Sequence, residues 1–410
     1  MIWRQAVSLV NGIVHAGAGA PAASIRFSSR VLGIGVPPRT GDLVVDLAGA
    51  VVVPGLVNAH DHLELNHYGR LKFRPAYANA SEWVDDMRPR LSIDPAIVRA
   101  KSHPLSDRLF IGALKNALAG VTTVAHHNPW YPELRRTMPL RVVRRYGWAH
   151  SFALERQPAG ARGEAGGSVA ARYRSTPADA PFMIHLAEGV DAAAAGELAR
   201  LDALGCLGAN TVIVHGVAID RAGWRRVAEA GAGLAWCPAS NAFLLGRAAA
   251  VDDAIAAGVR VAVATDSRIS GSRDLLDELR AARDGAALSP ADLLAMVTAN
   301  AAALLRQPRA GRLDVGLPAD LLVIPPSGAT AADAVLEARR RDVALVAVGG
   351  RPIVADGRFA GVFAARHVAA RSACVDGAPK LLDAALARRI AASAIVEPGV
   401  AVGSRVSVSI

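Results

Sequence analysis

Lysine is nearly absent from this sequence: among 410 residues there are four, Lys72, Lys101, Lys115 and Lys380. The formal net charge is nonetheless +10, from 46 lysines and arginines against 36 aspartates and glutamates, so arginine carries most of the positive charge. The arginines are scattered. Nucleic acid or an anionic membrane calls for a concentrated basic face, and the sequence offers none, which argues against both partners. Cysteine is equally scarce. Cys206, Cys237 and Cys374 are odd in number and far apart, a pattern that fits a reducing compartment better than a disulfide scaffold. The opening MIWRQAVSLVNGIVHAG lacks the order of basic region, apolar core and small-residue cleavage site that marks a secretory signal. Residues 5–25 carry no formal charge but are broken by Asn, Gly, Ser, His and Pro, and no apolar run reaches spanning length. The expectation is a soluble, cytoplasmic protein.

What the sequence does have is alternation. From residue 51 to about 306, short β-rich runs alternate with helical stretches, the pattern of repeated β-α units around a parallel sheet. The predicted strands are VVVPGLVN (51–58), VTTVAH (121–126), a region within LRVVRRYGWAHSF (140–152), PFMIHLAE (181–188), NTVIVHG (210–216), AGLAWCP (232–238) and VRVAVATDS (259–267). Between them, AAAAGELARLDALG and SRDLLDELRAARDG end in glycine as helices should, and Ser289-Pro290 opens a helix through PADLLAMVTANAAALLR. Seven strands are clear and one is missing, with the irregular 155–180 segment as a degenerate unit or a loop. An eight-unit barrel occupies roughly 250 residues, close to this span. β-rich runs at both chain ends can meet in one small sheet domain. The predicted organisation is α/β: a TIM-like (β/α)8 barrel over 54–310, its fourth unit degenerate, and a small β-sandwich from residues 1–53 and 311–410.

Several histidines fall at the C-terminal ends of predicted strands: His60 and His62, His126 and His127, His185, and His215. Asp266 ends VRVAVATD in the same way. In parallel barrels those ends converge on one rim, so residues distant in sequence meet there. His60 and His62 lie two apart, which in extended chain sends both rings to one side. With His185, His215 and Asp266 they offer nitrogens and a carboxylate suited to zinc or ferrous iron; two polar rim histidines held by hydrogen bonds are the plainer reading of HDH alone. Glu188, three residues after His185, can take a proton from a metal-bound water and pass it to a leaving nitrogen, or simply cap the next helix.

The ordered set PGLVNAHDHL (54–63), GVTTVAHH (120–127), HLAEG (185–189), VHG (214–216), CPASN (237–241), TDS (265–267) and GRLDVGLPADLLVI (311–324) resembles the amidohydrolase superfamily. Within it, the set resembles the branch of cytosine, guanine and chlorotriazine aminohydrolases, with imidazolonepropionase a near relative. The resemblance spans nearly the whole chain. It implies that His60, His62, His185 and Asp266 ligate one divalent metal, Zn or Fe(II), and that Glu188 is the proton shuttle. It also implies that His215 steadies the developing oxyanion and that Asp266 can accept a proton from the bound water. Asp61, between the two ligands of HDH, is expected to point away from the ion. Two-metal members generally bridge their ions with a modified lysine near the fourth strand. No lysine lies between 116 and 379, which favours one metal. The implied function is hydrolytic deamination of a nitrogen heterocycle, with ring-opening of a cyclic amide or imidazolone and a non-catalytic metal-binding scaffold as alternatives. A homodimer or larger homo-oligomer is the expected assembly.

The substrate side is less determined. His67, Trp83, Trp148, His150 and Asn241 are the substrate-contact candidates. His67 can equally bind loop backbone, the two tryptophans can equally be core, and Asn241 can equally stabilise its own turn. In CPASN, Ala239 stands where the related pattern often carries a basic residue, which argues against an anionic substrate contacted from that point. Of the adjacent pair His126 and His127, strand alternation sends one ring toward the barrel interior.

Overall fold

The computed structural model describes residues 5–17, 21–135, 138–153 and 167–403. Two sheets draw on the chain ends. Val31–Ile34, Ile25–Phe27, Val7–Val10 and Leu43–Asp46 lie side by side in a four-stranded sheet. An eight-stranded sheet interleaves N-terminal Ile13–Val14 and Val51–Pro54 with six strands lying between Leu321 and Val402. Leu9, Ile25 and Phe27 of the first sheet share one buried apolar cluster with Val52, Leu321, Val323 and Leu345 of the second. The terminal β-rich runs therefore do meet, and apolar burial holds them together.

Eight short parallel strands occupy the middle, numbered here in chain order: β1 (Leu56–Asp61), β2 (Val121–His126), β3 (Arg141–Val142), β4 (Gly147–Ala149), β5 (Phe182–Leu186), β6 (Thr211–His215), β7 (Gly233–Trp236) and β8 (Arg260–Val263). They form two arcs, β1-β2-β3 and β4 through β8, with every neighbouring pair parallel. A parallel bridge between Asp61 and Asp266 links the end of β1 to the segment just past β8. One buried cluster takes Val57 and Ala59 from β1, Ala125 from β2, Met183 from β5, Val212 and Val214 from β6, Ala235 from β7 and Ala262 from β8. The fold is mixed α/β with parallel strands whose C-terminal ends gather on one rim.

Three expectations change. The run 51–58 is not one strand: Val51–Pro54 pairs antiparallel with Leu321–Ile324 in the terminal sheet, and only from Leu56 does the chain join β2. Gly55 makes the transfer, lying so close to Thr122 that an added Cβ would stand 2.2 Å from its methyl carbon. The missing strand lies in 140–152, which holds both β3 and β4 with only four residues between them and no helix. The helix Val169–Ser175 follows inside the 155–180 region, of which residues 155–166 lie outside the described residues. Lastly, the predicted helix from Pro290 splits into Pro290–Met296 and Ala299–Leu304. Its first turn keeps the expected cap, Ser289 and Asp292 exchanging side-chain to backbone bonds. The break follows from Val297, whose carbonyl accepts from Val57 N at 2.8 Å and so serves β1.

Between β1 and β2 stand three helices that strand-centred reading passes over, Ala80–Ile93, Pro95–Ser102 and Leu105–Leu118. The third is buried along almost its whole length and carries Lys115 and Asn116 behind the rim. Among the described residues, no helix is long and apolar enough to cross a membrane.

Candidate metal centre and active site

Each candidate ligand sits where a parallel strand ends. His60 lies in β1 and His62 just beyond it, His185 lies in β5, and Asp266 follows β8. All four are buried, and one ligand atom from each lies within 4.8 Å of all the others. Asp266 Oδ1 is 3.6 Å from His60 Nε2 and 3.5 Å from His62 Nε2, while His62 Nε2 and His185 Nε2 stand 3.2 Å apart. Two donors each about 2.1 Å from one ion take spacings of about 3.4 Å at a tetrahedral angle, so this separation suits a shared divalent cation. The hydrogen bonding agrees. His185 Nδ1 is 2.8 Å from the His150 carbonyl, which can only accept, so the Nδ1 proton is there and Nε2 is a bare lone pair. His60 Nε2 is buried with no hydrogen-bond partner. Buried ring nitrogens that converge beside a carboxylate, one of them without any partner, are what a cation would satisfy.

The second layer is dense. Asp266 Oδ2 accepts from Ser240 Oγ at 2.8 Å and Ser270 Oγ at 2.7 Å, which turns Oδ1 to the histidines. Backbone bonds from Asp266 N to the His60 carbonyl and from His62 N to the Asp266 carbonyl tie the two ligand segments together. Asp61 does point away from the histidine ligand nitrogens, as expected. It meets Asn66 Nδ2 and Asn116 Nδ2 at 2.7 Å each, Thr265 Oγ1 at 3.2 Å, and Lys115 Nζ at 3.1 Å in an ion pair with no exposure on either side. Lys115 and Asn116 were missed at the sequence level. The available signal was a lone lysine inside the apolar run FIGALKNALAG, where a cation has to find a partner.

Glu188 leaves β5 through Ala187, whose φ of 54° turns the chain back, and whose N–H donates to Glu197 at 2.7 Å. Its Oε1 lies 3.5 Å from His215 Nε2. Burial first, then the charges of Asp266 and Glu197, hold the Glu188 carboxyl well above its ordinary range. A carboxyl in that state can hand over a proton near neutral pH. His215 is buried and its pKa is depressed to about 3, chiefly by desolvation, so its ring is neutral at neutral pH. Asn241 Nδ2 lies 2.8 Å from His215 Nδ1 and donates to it, which leaves the ring proton on Nε2, facing Glu188. Asn241 is fully buried, and its amide nitrogen is engaged by the His215 ring.

The other substrate candidates separate. His150 lines a cavity of about 180 Å³ together with Asn79, Ser81, Asp85, Glu188 and Glu197. His67 is spent on the Ala100 carbonyl at 2.9 Å, so it ties a loop to a helix. Trp83 donates Nε1 to the Leu71 carbonyl and packs beside Tyr68 and Met87, away from the cavity lining. Trp148 meets His127 edge-on and takes Arg172 on its face, also outside that lining. Of the adjacent pair, His127 turns to His60, while His126 lies near Glu64.

Three histidines and an aspartate at the rim of a parallel sheet, with a buried glutamate beside them, define a metal-dependent hydrolase. Comparison with known proteins agrees. The amidohydrolase family description matches residues 178–353. The 5-methylthioadenosine/S-adenosylhomocysteine deaminase of Haloarcula marismortui is 30% identical over 327 residues, 69% of this chain and 75% of that protein. That of Natronomonas pharaonis is 27% identical over 387 residues, 80% of this chain and 87% of its own. Among solved structures, a zinc-bound adenosine deaminase from Xanthomonas campestris superposes with a TM-score of 0.67 at 20% identity, covering 88% of this chain and 97% of that one. A zinc complex of atrazine chlorohydrolase from Arthrobacter aurescens gives 0.66 at 18%, covering 88% and 100%; these two likenesses concern the fold. The chain belongs to the amidohydrolase family and is a hydrolase of carbon–nitrogen bonds other than peptide bonds.

Proposed function

We propose that this chain deaminates an aminated nitrogen heterocycle, with His60, His62, His185 and Asp266 holding one divalent ion, zinc or ferrous iron. The observation that carries the reading is Glu188: a buried carboxyl with a raised pKa, next to the ligand cluster and on the wall of the cavity. A bound ion of this kind supplies a water acidified from 15.7 toward about 7. Glu188 accepts a proton as the nucleophile forms and returns it to the departing exocyclic nitrogen, which leaves as ammonia. His215, neutral and carrying its proton on Nε2, donates toward the oxyanion that develops as the ring carbon is attacked. Asp266, its Oδ2 occupied by two serine hydroxyls, has Oδ1 alone to offer ligand and proton duties. His150 stands on the cavity wall as the remaining candidate contact for the ring.

The names of the relatives make aminopurine nucleosides such as 5-methylthioadenosine and S-adenosylhomocysteine the first substrates to try. Supporting the architecture behind this reading are the apolar cluster shared by six strands of both arcs and the Asp61–Asp266 bridge. On that basis the arcs close into one eight-stranded barrel over 54–310, with the terminal segments 1–53 and 311–410 packed as a sandwich. The test is metal analysis of the purified protein, then a panel of aminated purines, pyrimidines, pterins, triazines and cyclic amides scored for ammonia release against ring opening. Glu188→Gln is expected to keep the metal and lose about 10²- to 10⁴-fold in turnover. Ring opening without ammonia, or near-native turnover in that variant, would refute the assignment.

A further inference from the structure

His127 follows β2 and has no part in the chemistry above, yet its ring is fully buried against the ligand cluster. Its two nitrogens make contacts of fixed polarity. Nε2 lies 3.0 Å from the carbonyl of Ala149, the last residue of β4. A carbonyl only accepts, so the proton of this imidazole is on Nε2 and the Nδ1 lone pair is free to accept. Nδ1 stands 3.2 Å from Nδ1 of His60. His60 must therefore donate from Nδ1, which strips the proton from its Nε2, the nitrogen aimed at Asp266 Oδ1 and otherwise without a partner. The opposite tautomer of His60 would set two lone pairs against each other at Nδ1 and put a proton among the ligands. Packing fixes the plane of the relay: His185 stacks on His127 at 4.4 Å between centroids, and Trp148 closes its edge at 5.8 Å.

We propose that His127 is a positioning residue that sets the tautomer of His60, relaying the polarity of the Ala149 carbonyl so that Nε2 is presented to the ion as a lone pair. His185 achieves the same result in one step through the His150 carbonyl. The distance from β1 to a suitable carbonyl is bridged in His60's case by a second imidazole. A structural histidine that merely fills space would have no such requirement on which ring atom accepts. The inference rests on the reading of His60 as a ligand.

The experiment uses the full chain, stripped of metal and titrated with zinc against a chromophoric chelator, comparing wild type with His127→Leu, His127→Asn and His60→Ala. Leucine removes the acceptor, and zinc affinity is expected to fall about 10- to 100-fold. Asparagine offers an oxygen near the position of Nδ1 and should recover most of that loss. Wild-type affinity in His127→Leu, or equal weakness in the leucine and asparagine variants, overturns the proposal. If His60→Ala binds zinc as tightly as wild type, the ligand reading itself has failed and takes this one with it. Weakness in His60→Ala together with normal His127→Leu sinks the relay alone. Should His127→Leu not fold, ring-¹⁵N-histidine spectra of the zinc-free wild type decide, with the His60 signals identified by their loss in His60→Ala. A proton on His60 Nδ1 supports the relay, and a proton on Nε2 refutes it.

Discussion

The Lys115–Asp61 pair behind the HDH motif gives a prediction whose size follows from its surroundings. Both side chains are fully buried, with Nζ 3.1 Å from Oδ2. Removing one partner of such a pair costs about 3–5 kcal/mol, because the other charge stays behind in low dielectric. In Lys115→Met, an unbranched apolar chain replaces the ammonium and Asp61 keeps amide donors from Asn66 and Asn116 at 2.7 Å, with Asn58 at 3.3 Å and the Thr265 hydroxyl at 3.2 Å. The cost should lie at the lower end, about 3 kcal/mol. Asp61→Asn strands the ammonium with Thr265 Oγ1 as its other hydrogen-bond acceptor, at 3.2 Å, and turns an amide group toward existing amide donors, so it should cost as much. The double variant contains neither charge and loses only hydrogen bonds, about 2 kcal/mol. The assay is urea unfolding of the metal-free protein at pH 7.5, followed by circular dichroism and tryptophan fluorescence, with coincident transitions required before free energies are compared. A Lys115→Met variant within about 0.5 kcal/mol of wild type would refute the reasoning. So would a double variant that loses the full total of the two single losses, since no coupling would then exist.

Two further predictions concern the same region. Glu278 is buried, accepts from Ala239 N at 2.9 Å and Ser272 N at 3.1 Å, and has its pKa raised to about 7, mainly by desolvation. Its folded pKa lies above its unfolded value near 4.3, so the folded state binds the extra proton between them. Stability from this group is present at low pH and is lost as pH rises through 7, by about 1.4 kcal/mol per unit in that window. Glu278→Gln should therefore flatten the decline in urea midpoint between pH 5 and pH 8 relative to wild type, and parallel profiles would contradict this. Gly112 faces the loop after His62 so closely that an added Cβ would lie 2.2 Å from the Leu63 carbonyl oxygen. Gly112→Ala should cost about 1–3 kcal/mol and weaken zinc binding by displacing the motif, whereas unchanged melting temperature and zinc affinity would show that the contact is dispensable.

The ligands were legible in the sequence because each ends a strand. Repeated β-α units bring strand ends to one rim, so His60, His62, His185, His215 and Asp266 could be grouped without coordinates, and the family resemblance then narrowed the ligand set to the four without His215. Glu188 was legible for its distance from His185. The second layer was not, because hydrogen-bond partners obey no spacing. Ser240 and Ser270 reach Asp266 from two different segments, and Lys115 reaches Asp61 from a helix that carries no motif. CPASN pointed to the site, but the position of the Asn241 amide against His215 Nδ1 depends on how two strand ends meet, which no motif encodes. The strand count failed for a related reason: β3 and β4 are so short and so close that no hydrophobic period can resolve them.

Backbone conformation at the site explains why so much structure surrounds so few ligands. Ala187, His215 and Asp266 have φ of 54°, 76° and 55°, in the left-handed region that residues with a Cβ enter at a cost of about 1–3 kcal/mol each. All three lie at or just past the end of a parallel strand, where the chain must turn sharply for a side chain to face the rim. The turns persist because each is held from several sides. Glu197 takes the Ala187 N–H, and Asn241 bonds the His215 ring. Asp266 exchanges backbone bonds with the HDH segment. Two residues on, Arg268 donates to both oxygens of Glu397 at 2.8 and 2.7 Å, and its own N–H bonds Asn66. Glu397 is fully buried and also receives Arg340. The turn after the aspartate ligand is therefore fastened to a segment 129 residues further along the chain. That anchor braces the turn that carries Asp266, which gives the terminal β-rich segments a part in holding the candidate metal centre without their supplying a ligand to it.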